Sequence, residues 1–482
     1  MWAVLFSESL RILAILPAGT YRPQLEFESV ISRLGPGEYV LGINGRAVGQ
    51  DGGELDRVTE FADVGLPVAG GEQGRFVVVL VAVLLLLALA GEQGGFFGSQ
   101  VIELKLPEPI PALEIRYTTD GSEPTAESRL YDGALRLTST AMLQVRTFDN
   151  RPNPTYSPSN VTSASFIAMD TTLESVSSNL PIMVLDSLGQ ALPHSDSTSL
   201  VPMNVVLYET SKVDGRTQLG SDLVDYLGRG GARRRGSSTG RDPKANMSFE
   251  TWGTEGTNQD DDDAASLLGM SSEADWVLHA PGQYDRTRVR NQLAYDLSNR
   301  MDMWASDYRH IELYMNNDDG VVDASDYMGV YVLQEKIEQG GGRLDIADID
   351  PEDNAEPEIS GGYIWKVDRE DPGESTFTVG SGIEGFRAQA LNWVYPKSPG
   401  SETAREDQKA TAEQEAWVVN YFDQFINTLA NPDINDPNGY SKYIDSVSWV
   451  DHHMLNVLLM NVDALRLSGY LFKDREGLIE HG

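Results

Sequence analysis

A chain of 482 residues without one cysteine must hold its domains together by burial alone, because neither a disulfide nor a thiolate–metal staple is open to it. It has the material: 40% of its residues are hydrophobic and 9% aromatic, ordinary proportions for globular domains, and the length allows two or three of them. Thiolate catalysis and Cys-type zinc sites are excluded along with the disulfides. The six histidines offer no substitute, since only His452 and His453 adjoin. Neighbours on a helix point about 100° apart and make no two-ligand metal face. Acidic residues outnumber basic ones 73 to 37, and a net charge of −36 repels phosphate backbones, which argues against a nucleic-acid partner.

The longest apolar run, Phe76 to Ala90 (FVVVLVAVLLLLALA), is 15 residues without a polar interruption. As a helix it reaches roughly 22 Å, short of the about 30 Å of a bilayer's hydrocarbon core. Arg75 before it and the small-x-small ending Ala88-Leu89-Ala90 fit a signal-peptide core. A buried helix and a short membrane anchor are the alternatives. The expectation is a protein exported to the cell envelope or secreted. Residues 1–75 carry no usable motif and read as either a cytoplasmic extension or an artefact of the assigned start.

From Phe97 the pattern changes to short alternating strands. Leu113-Glu114-Ile115-Arg116-Tyr117 alternates apolar and polar, Asp120-Gly121 turns the chain, and Leu135 to Leu137 and Leu143 to Thr147 repeat the alternation. Such period-two segments predict a small antiparallel β-sandwich over 97–168. The string YTTDGSEPT and the YDG after it resemble the chitobiase C-terminal-like module, an immunoglobulin-like accessory domain. The resemblance implies no catalysis, a spacer role, and a cell-envelope carbohydrate as the partner should the module bind one.

Over 180–482 strands and helices alternate as in an α+β domain. Leu180 to Asp186 and Pro202 to Tyr208 read as strands, Ile311 to Tyr314 and Gly329 to Leu333 as a strand pair. Asn291 to Arg300 reads as a helix with Leu293 and Leu297 on one face, and Ala416 to Leu429 and Ser448 to Val462 as amphipathic helices. Four segments carry candidate chemistry. Gly228 to Lys244 holds five glycines, five arginines and a lysine, the composition of a flexible loop that wraps phosphate or of a solvated basic loop. Arg286 to Asn291 (RTRVRN) puts Arg290 and Asn291 where a helix dipole favours anions, or where surface carboxylates are paired. Tyr331 to Ile337 is an apolar strand ending in Glu335 and Lys336, either a hinge whose backbone meets a base or a strand leaving the core. Asp463 follows a long apolar helix and is either a partly desolvated base or a helix-end cap. The acidic run Asp260 to Asp263 reads as a solvated loop.

The strings SNLPIMVLD, SLLGMSSEADWVLHAP, RTRVRNQLAYDLSNRM, DYMGVYVLQEKIEQGGGRLDI, GGYIWKVDR and LLMNVDALRLSGYLFKDREGLI together resemble the CotH kinase family across roughly 300 residues. The resemblance implies a divergent protein-kinase-like fold that moves a phosphoryl group from ATP to serine or threonine of a protein substrate, with Mg or Mn as the metal. It implies Lys244 as the phosphate lysine, Arg290 and Asn291 as nucleotide-side residues, Glu335 to Ile337 as the hinge and Asp463 as the catalytic aspartate. Ser468 stands where kinases place a metal-binding asparagine. Family members continue into a WDFD-like motif that supplies a second aspartate, and this sequence ends at His481-Gly482 before it. The expectation is therefore a C-terminally incomplete domain that transfers phosphate poorly. The competing readings are a non-catalytic envelope-binding protein on the same fold and, on the accessory module alone, a carbohydrate-active enzyme.

Overall fold

The structure is a computed structural model that describes residues 24–35, 38–48, 54–55, 94–106, 112–154, 156–194, 196–237, 239–253, 262–282, 285–370, 374–401, 404–433, 436, 439–463 and 466–481. The apolar run 76–90 and the first two residues of the acidic run, Asp260 and Asp261, lie outside them. The chain divides into two units, Met1–Val79 and Leu80–Gly482. In the first, strands Gln24–Gly35 and Glu38–Val48 pair antiparallel from Gln24↔Val48 to Gly35↔Glu38, and Glu54–Leu55 adds a third strand. Among the described residues no helix is long and apolar enough to cross a membrane.

The second unit is mixed α and β with few helices. It opens with the β-rich module, a five-stranded sheet built on Ala141–Asp149 and Thr162–Met169. Leu113–Thr118 lies on the far side of Ala141–Asp149, as the alternation predicts. A separate two-stranded ribbon pairs Gln100–Ile102 with Leu135–Leu137.

Next comes a closed barrel of seven strands: β1 (Ile182–Asp186), β2 (Val201–Tyr208), β3 (Val224–Arg235), β4 (Asn246–Trp252), β5 (Asp275–His279), β6 (Tyr308–Asn316) and β7 (Tyr327–Glu335). The order around it is β1-β2-β3-β4-β5-β7-β6, all antiparallel except for the parallel closure of β6 on β1. Alternate residues point inward, so Leu185, Val205, Phe249, Trp276 and Leu333 fill the barrel with no exposed surface. The outward residues of β1 and β2, among them Val184 and Val206, pack on Ile167 and Met169 of the module in one shared core. The backbones join as well: Asp170 N–H donates to Val322 O and Val322 N–H to Ala168 O, each at 2.9 Å.

Helix α1 (Arg290–Arg300) connects β5 to β6. Its expected leucine face is not the buried one. Leu293 is 47% exposed while Gln292 and Ser298 are buried, because α1 turns Tyr295 towards Gln334 of β7.

Beyond the barrel a second antiparallel sheet runs in the order β9-β10-β8-β11-β12. Its strands are β8 (Tyr363–Val367), β9 (Thr376–Val379), β10 (Gln389–Tyr395), β11 (Gly469–Lys473) and β12 (Glu480–His481). Helix α2 (Ala412–Ala430) lies on it, started by a reciprocal cap in which Gln414 N–H donates to Thr411 Oγ1 and Thr411 N–H to Gln414 Oε1. Val418 and Phe422 of α2 close over Trp365, whose ring meets that of Phe422 at 5.1 Å. Helix α3 (Ser446–Leu458) is capped by Asp445 and buries Ser448 and Leu455. Its opposite face is apolar and open: Val447, Val450, Met454, Val457 and Leu458 are 58–68% exposed.

Phe249→Ala removes a ring from the middle of the barrel and should cost about 3–5 kcal/mol. Urea denaturation of the full chain measures it, and a loss under about 1 kcal/mol would contradict the barrel as the organising core.

Candidate functional site

The basic glycine segment begins as strand. β3 runs through Gly228-Arg229-Gly230-Gly231-Ala232-Arg233-Arg234-Arg235, and the chain leaves the sheet at Gly236, with a short 3-10 turn at Thr239–Arg241. The glycines serve the sheet rather than flexibility. A side chain on Gly231 would collide with the indole of Trp252, and one on Gly230 with the carbonyl of Glu250. Alternation sends Ala232 inward beside Phe249 and Arg235 outward, where its charge acts on His279 and on Tyr295. Gly236, at φ +91°, then turns the chain into the loop.

That loop meets the second sheet. Ser237 Oγ accepts a hydrogen bond from Arg369 Nη1 just past the end of β8. Beside it, Asp368 Oδ2 accepts from Ser468 Oγ at 3.1 Å. The backbone of this corner is fixed by buried Asn392, whose Nδ2 donates to the Arg369 carbonyl at 2.9 Å. Asp463 lies five residues before Ser468 in a short turn closed by Leu467 N–H on the Asp463 carbonyl at 3.0 Å. The preceding helix stops at Leu458, so Asp463 is not its end cap. Its carboxylate is half exposed and accepts from Arg466 Nη2 at 2.7 Å. Three segments far apart in sequence thus meet at one corner between barrel and sheet.

A second group of charges is held in pairs. Lys336 Nζ lies 2.9 Å from Asp275 Oδ1 and 2.7 Å from Glu338 Oε1, with 35%, 27% and 17% of the respective side chains open. Burial among these neighbours desolvates them. Against that desolvation, Asp275 and Glu338 hold the Lys336 ammonium above its ordinary pKa, and Lys336 holds Asp275 below its own. Burial pushes Glu338 up to about 7, and burial followed by the Asp275 charge pushes Glu250 up to about 7. Burial and then the neighbouring Lys336 charge lower Lys397, which faces this group from the second sheet's side.

The remaining expected residues have partners of their own. Lys244 Nζ donates to the Val330 carbonyl at 2.6 Å and sits 4.9 Å from the centre of the Tyr331 ring, and burial lowers its pKa before Arg288 lowers it further. The amino end of α1 already holds an anion of the chain itself: Arg290 N–H donates to Asp285 Oδ2 at 2.8 Å, while Asn291 is exposed. Glu335 is buried, accepting from Ser271 N–H at 3.3 Å and Asp307 N–H at 3.0 Å beside the equally buried Arg343. Arg343 in turn grips the carbonyls of Lys336 and Asp275. The Glu335 side chain is therefore a strut, and what its segment offers a ligand is backbone.

Sequence reasoning passed over Asp368, Arg369 and Asp275. The available signal was a charged pair closing the apolar strand Tyr363–Val367, but strand ends are polar in most proteins, and only the tertiary contact marks this one. Among the described residues no group of three or more His, Asp or Glu is close enough to hold a metal alone. A nucleotide-bound Mg takes one or two carboxylates and completes its shell with phosphate and water, a demand that Asp368 with Ser468 can meet.

A family model described as CotH kinase protein matches residues 232–481. One described as chitobiase/beta-hexosaminidase C-terminal domain matches residues 92–163. No curated protein matches the chain.

A carboxyl with a raised folded pKa binds its proton more tightly folded than unfolded. Its stabilising contribution is full below the ordinary value of 4.5 and is lost as pH rises through about 7. Glu250→Gln removes that loss and should make the chain more stable than the parent by about 1–3 kcal/mol at pH 8, with little difference at pH 4.5. Denaturant melts at the two pH values test this, and a deficit at pH 8 would show that ionised Glu250 is well paired.

Proposed function

Because the chain belongs to the CotH kinase protein family, we propose that the corner where these segments meet binds ATP and transfers its terminal phosphoryl group to a serine or threonine hydroxyl of a protein acceptor. The barrel and the second sheet are then the two lobes of a divergent kinase-like domain. The observation that carries this reading is the meeting of the loop after β3, the Asp368–Arg369 corner and the Asp463–Ser468 turn.

Each takes a role that phosphoryl transfer requires, positioning and charge neutralisation above all. Arg235, Arg369 and the N–H groups of the loop after Gly236 neutralise the phosphates. The backbone of Glu335–Ile337 meets the base. Asp368 and Ser468 would hold a Mg or Mn ion, which would supply Lewis-acid neutralisation of the phosphates when bound. Asp463 accepts the proton of the acceptor hydroxyl as that oxygen bonds to the terminal phosphorus and the bridging bond breaks, releasing ADP. Lys244, with its ammonium on Val330, supports β7 rather than a phosphate, and Arg290 with Asn291 stands at the rim. The apolar run 76–90 makes export to the envelope part of the same proposal.

Calorimetry with Mg-ATP and Mn-ATP on the full chain tests the site. Binding is expected, weakened at least about tenfold by Arg235→Ala, as loss of a charge-assisted contact implies, and changed less than about twofold by Lys244→Ala. No binding by the folded chain sinks the proposal. With a Ser/Thr-containing acceptor protein and labelled ATP, Asp463→Asn should leave binding intact and slow transfer by about 100-fold or more. Unchanged transfer would remove Asp463 from the reaction.

A further inference from the structure

Where the module meets the barrel, a row of polar residues is buried that phosphoryl transfer does not use. On the outer face of the barrel Asn316, Asp186, Asn204 and Arg229 are successive cross-strand neighbours on β6, β1, β2 and β3, none more than 2% exposed. Facing them on the module, Gln144 and Ser163 are cross-strand partners with 0% and 3% exposure. Ser165 and Thr140 lie on the same face and reach across: Ser165 Oγ donates to Gly228 O and Thr140 Oγ1 to Asp186 Oδ2, each at 2.8 Å.

The ends of this row are satisfied. Asn316 Nδ2 also donates to Asp186 Oδ2, at 2.9 Å, and Arg229 Nε donates to the Gly253 carbonyl at 2.9 Å. The middle is not. Both amide atoms of Gln144, both of Asn204 and the hydroxyl of Ser163 have no partner in the protein. Five dry polar atoms in one place would cancel a large share of a domain's stability, so folded chains supply such groups with partners. Apolar residues of the shared core, among them Ile167, Val184 and Val206, close the seam off from bulk solvent.

We propose that Gln144, Ser163 and Asn204 form an internal water-binding site that locks the module onto the barrel. The ligand is water because the site offers donors and acceptors together, carries no net charge of its own, and has the two to four polar partners that a buried water takes. A hydrated polar seam makes a fixed joint, so the module is a wall of the barrel and not a mobile arm. The inference is independent of the phosphoryl-transfer reading.

A crystal structure of the full chain at about 1.5 Å should show ordered water bonded to Gln144, Ser163 and Asn204, of the kind that satisfies buried groups elsewhere. Direct pairing of the two amides, with no density between them, overturns the proposal. In thermal melts Gln144→Leu and Asn204→Leu should each lower Tm by about 2–4 °C or more. The double variant should lose clearly less than the sum, because one shared network is removed. Additive losses, with both single variants folded, overturn it as well.

Discussion

The parallel pairing of β1 with β6 is the constraint on which everything else rests, because it turns an open sheet into a barrel. A closed barrel has one inside but a continuous outer surface, and here that surface is divided. Over β1, β2 and the first half of β3 it takes the module, through apolar residues and the buried polar row that includes Asp186, Asn204 and Arg229. Over the end of β3 and over β4, β5 and β7 it carries Arg235, Glu250, Asp275 and Gln334. The two neighbours of the barrel are thus chosen by the outward residues of different strands, while the inward residues do the same work throughout.

Charge is handled locally. The chain as a whole is strongly acidic, and an outer surface of that sign turns extended polyanions away. Within it, Lys336 sits between Asp275 and Glu338, and Arg466 pairs with Asp463.

Much of this was legible in the sequence. Strand patterning placed β1, β2, β7 and the module's strands at Leu113, Leu135 and Leu143 within two residues and β6 within three, while it missed Thr162–Met169 and started α2 at Ala416, four residues late. The failures share a cause. Gly228, Gly230 and Gly231 suggested a loop because glycine usually means flexibility, whereas here the rings of Phe249 and Trp252 and a neighbouring carbonyl demand the absence of Cβ. Leu293 and Leu297 suggested a buried face, and the partner that turned α1 the other way, Gln334, lies on a strand that local pattern cannot bring near. Asp463 read as the end of a helix because Leu459, Met460 and Val462 extend its apolar pattern, yet the helix stops at Leu458 and Met460 adopts φ +50°. For Asp368 the local signal, a charged residue at a strand end, is too common to single it out. Its standing comes from Ser468, a hundred residues away in the chain.

The open apolar face of α3 has a colloidal consequence. In dilute buffer, copies carrying a net charge of −36 repel one another and keep Val450, Met454 and Val457 apart. Salt shortens the range of that repulsion to about 8 Å at physiological ionic strength, and sulfate-type salts strengthen apolar association. Both effects act in one direction, so for this chain ionic strength sets the concentration at which copies begin to meet. A buffer chosen to quiet electrostatics is the one in which the helix finds company.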